Sequence, residues 1–217
     1  MSPSSTPHWS VSGTSFLKAA DPVLGTVIDR IELNYTPQVE PDLYAALVRS
    51  VLGQQISVKA AAAIWQRFHQ HFATGTALPP EAILAEPDDT FRTLGLSRQK
   101  TTYVKAISQF AIDGHLALAE MQPMTAEALT AHLTQIKGVG PWTAEMIQMF
   151  ALDRPDVFSA GDLGIQNAMR RLYDLPETGK ALHQRMQQLA DRWRPYRTLA
   201  CRYLWKSLDL PAGASES

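Results

Sequence analysis

Cysteine is almost missing from this chain: Cys201 is the only one in 217 residues. No internal disulfide can form, and a four-cysteine iron–sulfur cluster or a multi-cysteine zinc site is excluded. A lone thiol also suits a reducing compartment. Long apolar runs are lacking too, none approaching the roughly 18 residues that span a bilayer. The first residues, Met1 to Thr14, carry neither a basic stretch nor an apolar core, so they read as a Ser/Pro-rich flexible tail and not as a secretory signal. The six histidines (His8, His69, His71, His115, His132, His183) show no metal-like clustering; His69 and His71, two apart, face different ways on a helix. Charge of one sign is also scarce. The net charge is -1 and the pI about 6.6, which by itself does not point to nucleic acid.

What is present is helix after helix. Hydrophobic residues make up 45% and charged residues 19% of the chain, enough apolar content for a buried core. Leu43, Leu47, Val48, Val51 and Leu52 follow helical spacing, as do Ala60, Ala63, Ile64 and Phe68, then Tyr103, Val104, Ile107 and Phe110. Ser57, Ser97 and Thr125 are candidate N-caps, and Gly53 and Gly95 candidate ends. Helices are predicted from Pro41–Asp42 onward: Glu81–Ala85, Asp89–Leu94, Ser97 to about Asp113, Thr125–Gln135, Pro141–Leu152, Asp162–Tyr173, Thr178–Trp193 and Pro195–Leu208. No period-two pattern persists. The expected fold is all-α, two helical lobes built from one interleaved chain with a cleft between them. The expected layout is a tail at 1–14, a core at 15–209 and a second tail at 210–217.

Charge is unevenly placed. Between Ser159 and Lys206 stand nine basic residues (Arg170, Arg171, Lys180, Arg185, Arg192, Arg194, Arg197, Arg202, Lys206) against four acidic ones (Asp162, Asp174, Glu177, Asp191). A basic face on a neutral protein fits this asymmetry, and so does a plain solvated surface.

The most informative segment is LTQIKGVGPWTAEMI, Leu133 to Ile147. Two helices flank a turn on Gly138, Val139 and Gly140, with Pro141 at the first position of the second helix, where its missing N–H costs nothing. That helix start offers amides and a positive dipole end, a place for a phosphate with no base contact. Lys137 adds charge nearby. The same glycines also suit an ordinary αα-corner.

I-K-G-V-G-P-W-T-A, with DVFSAGDLGIQNAMRRLY at 156–173, resembles the helix-hairpin-helix DNA glycosylase superfamily, whose hairpin is followed by a Gly/Pro-Asp element. Asp162 follows Gly140 by 22 residues, a separation that fits the family. Three more blocks share the resemblance: Leu47–Trp65, Gly95–Ser108 and 193–205. Together they run from about Pro41 to Leu208. By these blocks the chain is most similar to DNA-3-methyladenine glycosylases of the type II alkylation-repair group. Larger members carry an extra N-terminal mixed α/β domain, and the roughly 40 residues before the first block here are too few for one.

The resemblance implies the following roles. Asp162, on position alone a good N-cap, would be the catalytic carboxylate. Trp142 and Trp205 would line the base pocket with Met146 and, more weakly, Tyr44, although aromatics at helical spacing also serve as core. An indole face suits a cationic alkylated base. Gln55 would be the wedge that fills the gap left by a flipped base, with Gln54 as its alternative. The backbone would be held by Lys137, Gly138 and Gly140. Main-chain carbonyls of Thr134, Ile136 and Val139 match a structural monovalent cation site, Na+ or K+; no cofactor is otherwise required. Bifunctional relatives place a Schiff-base lysine where this chain has Trp142, so simple hydrolysis leaving an abasic site is implied. The expected partner is duplex DNA with alkylated bases, bound by a monomer with no membrane, in the nucleoid-bearing cytoplasm of a prokaryote or the nucleus of a eukaryote. A related glycosylase for other damaged or mismatched bases, or a non-catalytic DNA-binding hairpin protein, are the alternatives.

Overall fold

The structure, a computed structural model, describes residues 9–34, 42–75 and 77–211. Thirteen α-helices and no strand ladder occur among them. The all-α expectation is met. No helix of the described residues is long and apolar enough to cross a membrane. The chain forms two units, one from residues 39–147 and one from residues 1–38 with 148–217.

The central unit, 39–147, holds α3 (Leu43–Gly53), α4 (Val58–Phe72), α5 (Pro80–Ala85), α6 (Asp88–Thr93), α7 (Arg98–Ile112), α8 (Leu118–Met121), α9 (Ala126–Leu133) and the start of α10 (Pro141–Phe150). The predicted caps are in place. Ser57, Ser97 and Thr125 accept from the amides of Ala60, Lys100 and Ala128, each satisfying a donor that the helix cannot. The core is formed by Leu47, Val48, Val51 and Leu52 from α3 with Val104 and Ile107 from α7. Phe68, Phe72 and Phe91 stack beside it.

The discontinuous unit holds α1 (Trp9–Ala20), α2 (Pro22–Ile28), α11 (Leu163–Tyr173), α12 (Gly179–Ala190) and α13 (Arg197–Ser207). The expected helix 178–193 ends at Ala190 and tightens into a 3₁₀ turn, Asp191–Trp193. Neither α1 nor α2 was legible as a helix. The expectation of a flexible tail at 1–14 is corrected for Trp9–Thr14, which open α1; Met1–His8 and residues 212–217 of the second tail lie outside the described residues. Glycine and serine lower helix propensity here. Packing overrides them: a Cβ on Gly13 would lie 2.9 Å from the Tyr196 ring, so glycine admits that ring, while Leu17 is fully buried.

One carboxylate ties this unit together. Asp21 caps α2 through the Val23 and Leu24 amides, 3.1 Å each. Its other oxygen accepts from Tyr173 Oη at 2.9 Å and Trp193 Nε1 at 2.8 Å. Burial and the Asp21 charge push the Tyr173 phenol up from its ordinary value. Both Asp21 and Trp193 are fully buried, so removing the carboxylate strands several donors. Asp21→Ala is expected to lower unfolding free energy by roughly 3 kcal/mol, read by urea denaturation. A loss under about 0.5 kcal/mol, the usual size for surface substitutions, would contradict this account.

Candidate active site

The hairpin is built from the end of α9 and the start of α10. Thr134 closes α9, and the Val139 amide donates to Ile136 O at 3.0 Å. Gly138 has φ +95, and a Cβ on it would fall 2.2 Å from Cγ of Tyr103. Both the left-handed backbone and the flat phenol ring on its Cα demand glycine. Gly140 differs. Its carbonyl accepts the first α10 bond, from Ala144 at 3.0 Å, yet a Cβ there would meet nothing within 4 Å. Packing within the fold does not require glycine at 140. Lys137 is exposed beside it. Thr134, Ile136 and Val139 place three main-chain oxygens within six residues, a donor set that suits a hard monovalent cation. Ile136 O, already accepting the Val139 amide, keeps a second lone pair.

The turn between α3 and α4 separates the two glutamines. Gln55 is exposed and left-handed, with φ +58, a conformation that costs a non-glycine residue about 1 kcal/mol. Gln54 is turned inward: its Nε2 donates to Gly138 O at 3.1 Å and to Thr143 Oγ1 at 3.3 Å. From α7, Lys100 Nζ donates to Leu52 O at 2.6 Å, and its burial lowers the ammonium pKa. A groove of about 620 Å³ runs past this turn, lined among others by Arg49, Gln54, Gln55, Ile56, Val58 and Trp142. Trp142 is 45% exposed, which no core role explains. Met146, one turn on, is half-buried.

Tyr44 does not join them. It is buried, its hydroxyl lies 2.8 Å from Ser108 Oγ, and burial pushes its phenol up. The base-pocket expectation for Tyr44 is therefore corrected: α3 turns that side chain onto α7, into the core.

In the discontinuous unit, Asp162 is the N-cap of α11 as predicted, Oδ1 accepting from the Ile165 amide at 2.8 Å. The same oxygen accepts from Trp205 Nε1 at 2.8 Å. The indole reaches it because residue 164 is glycine: a Cβ there would sit 2.9 Å from Trp205 Cδ1. Asp162 is half-buried. Phe150, which the sequence reading missed, stacks on Trp205 at 5.7 Å, and the Arg202 guanidinium lies over Phe150 at 4.8 Å. Phe150 is 48% exposed, which its place in the sequence does not signal.

Several arginines of the basic stretch bond within the unit. Arg197 is buried on Asp156, Nε to Oδ1 at 2.7 Å. Arg194 shares that carboxylate, Arg202 donates to Met149 O, and Arg171 donates to Ser207 O. Arg197 is thus withdrawn from any basic face and Arg202 half-withdrawn, while Arg170, Arg171, Lys180, Arg185, Arg192, Arg194 and Lys206 remain exposed.

The model of the HhH-GPD superfamily of base excision DNA repair proteins matches residues 48–195. This chain belongs to the HhH-GPD superfamily. DNA-3-methyladenine glycosylase 1 of Schizosaccharomyces pombe is 36% identical over 181 residues, covering 82% of this chain and 78% of that protein. A structure of the Schizosaccharomyces pombe 3-methyladenine DNA glycosylase in complex with abasic DNA superposes with a TM-score of 0.77 at 32% identity, covering 95% of this chain and all of that one. A Bacillus halodurans DNA-3-methyladenine glycosidase gives 0.79 at 34%, covering 95% and 91%.

The two hairpin glycines of this HhH-GPD protein separate in one experiment. Gly138→Ala is expected to cost roughly 2–4 kcal/mol of stability through strain and ring overlap, whereas Gly140→Ala stays within about 1 kcal/mol. Thermal melts of both check this; equal losses would contradict the two assignments.

Proposed function

We propose that this HhH-GPD protein is a monofunctional DNA glycosylase that hydrolyses the N-glycosidic bond of alkylated bases of the 3-methyladenine type in duplex DNA and leaves an abasic site. The observation that carries the reading is the Asp162 carboxylate, held at the start of α11 by an indole N–H and a helix amide.

Cleavage of the bond between C1′ and the base leaves its electron pair on the base and positive charge on the sugar. A fixed carboxylate stabilises that charge as it develops. It also orients the water whose oxygen bonds to C1′ and accepts the proton that this water sheds. An N3-alkylated purine is already cationic, so it departs neutral without a general acid. Trp205 is a positioning residue in this scheme: its N–H is committed to Asp162 and keeps the carboxylate from turning to solvent. Its indole, with Trp142 and Met146, is also assigned to the flipped base, where a cation over an indole gains about 0.5–2 kcal/mol.

DNA is gripped at the backbone of Gly138 and Gly140 and by the amides of α10 that precede its first intrahelical donor, Ala144. Lys137 adds a phosphate contact. Carbonyls of Thr134, Ile136 and Val139 would hold a Na+ or K+, which adds positive charge beside the phosphate. Gln55 is the wedge. Residue 142 being tryptophan, no lysine stands where bifunctional relatives form a Schiff base, so a monomer acting by hydrolysis is the proposal.

The test is release of 3-methyladenine from methylated duplex DNA by the wild-type chain. Asp162→Asn is expected to fold and lose a hundredfold or more in rate, about the worth of a key electrostatic group. Trp205→Phe, which keeps the ring and removes the donor, is expected to lose about tenfold. Near-normal excision by Asp162→Asn would remove the carboxylate from the mechanism. Borohydride treatment during turnover is expected to trap no covalent protein–DNA adduct; a trapped adduct would refute simple hydrolysis.

A further inference from the structure

The exposed Gln55 sits in a conformation that isolated chains avoid, at a turn between two helix ends. Something must hold it there. Two side chains do so from either side of the turn. Lys100, from α7, takes the Leu52 carbonyl at the end of α3. Gln54, the residue just before Gln55, reaches across to the hairpin and donates to Gly138 O at 3.1 Å and Thr143 Oγ1 at 3.3 Å. Gly138 is itself pinned under the Tyr103 ring, and Thr143 is buried. The hairpin end of this bridge is therefore rigid, and the turn is the part that follows.

We propose that Gln54 is a positioning residue that couples the wedge to the DNA-gripping hairpin, so that phosphate contact at Gly138–Pro141 fixes where Gln55 enters the duplex. This rests on the glycosylase reading for what the wedge does. It goes beyond that reading in taking Gln54 out of the set of DNA-filling residues and giving it a mechanical one. The donors decide the chemistry. A side-chain amide offers two N–H groups to one carbonyl and one hydroxyl; a carboxylate offers none, and a thioether of the same length offers none.

The coupling is read where a general loss of structure would not show. A lesion in single-stranded DNA needs no wedge, whereas one in a duplex does. Gln54→Met and Gln54→Glu are expected to lower the ratio of duplex to single-strand excision about tenfold, the scale of two lost hydrogen bonds. In a Gln55→Ala background the same substitutions are expected to change that ratio less than twofold, because the wedge they position is gone. Fluorescence of 2-aminopurine beside an abasic-site analogue reports the same coupling without excision, with a smaller rise in the Gln54 variants than in the wild type. Equal losses on both substrates, or losses that add fully to that of Gln55→Ala, would overturn the proposal. So would a normal ratio in both variants. Absence of excision by the wild-type chain would instead count against the glycosylase reading, and the fluorescence arm would still decide the coupling.

Discussion

The hydrogen bond from Trp205 Nε1 to Asp162 Oδ1, 2.8 Å long, is the contact on which the proposed chemistry depends. It joins the cap of α11 to the last turns of α13. It works only because residue 164 lacks a Cβ that would strike the indole. A carboxylate that merely capped a helix would need the Ile165 amide alone. The second donor, from a different helix, holds the group against rotation, and preorganisation of that kind is what an electrostatic catalyst requires. The capping role and the proposed catalytic role therefore support each other: the cap sets the backbone, and the indole sets the side chain.

Helix α13 extends this grip along the segment that leads to Asp162. Arg202 donates to Met149 O, Thr198 Oγ1 to Arg154 O, Arg197 to Asp156 and Trp205 to Asp162. The Val157 amide returns a bond to Thr198 Oγ1 at 3.0 Å. Residues 197, 198, 202 and 205 recur at helical spacing on one face. Its polar side chains pack inward together with the apolar Leu199, Ala200 and Leu204. Its work is to satisfy the carbonyls of an irregular stretch, which would otherwise be costly to bury.

Local chemistry was legible in the sequence and long-range chemistry was not. Ser57, Ser97, Thr125 and Asp162 were readable as caps because a cap acts on amides three residues away. The hairpin was readable because glycine and proline declare their backbone demands. By contrast, Gln54 resembled its neighbour Gln55; its bonds to residues 138 and 143 and the left-handed backbone of Gln55 distinguish them. Tyr44 matched a helical face with nothing to say that Ser108, 64 residues on, would take its hydroxyl. The basic residues of 170–206 read equally as a basic face or a solvated surface, since no pattern tells a guanidinium that faces solvent from one that faces Asp156. Helix α1 escaped notice because its serines and Gly13 lower propensity, and what stabilises it is Tyr196, far along the chain.

The near-zero net charge fits the proposed chemistry once the grip on DNA is seen to rest on backbone. Many nucleic-acid proteins gather lysine and arginine to neutralise phosphates. Here several guanidiniums of the basic stretch bond internally, and the hairpin presents amides with Lys137 as the nearby charge. A strongly positive surface would also repel a cationic base, the lesion proposed as substrate. The proposed division of tasks removes that conflict: uncharged N–H groups would meet the phosphate, aromatic faces the cation, and the negative charge of Asp162 the developing cation on the sugar. Where the arginines do meet a carboxylate, as Arg194 and Arg197 meet Asp156, their charge is offset within the unit and adds little to such repulsion.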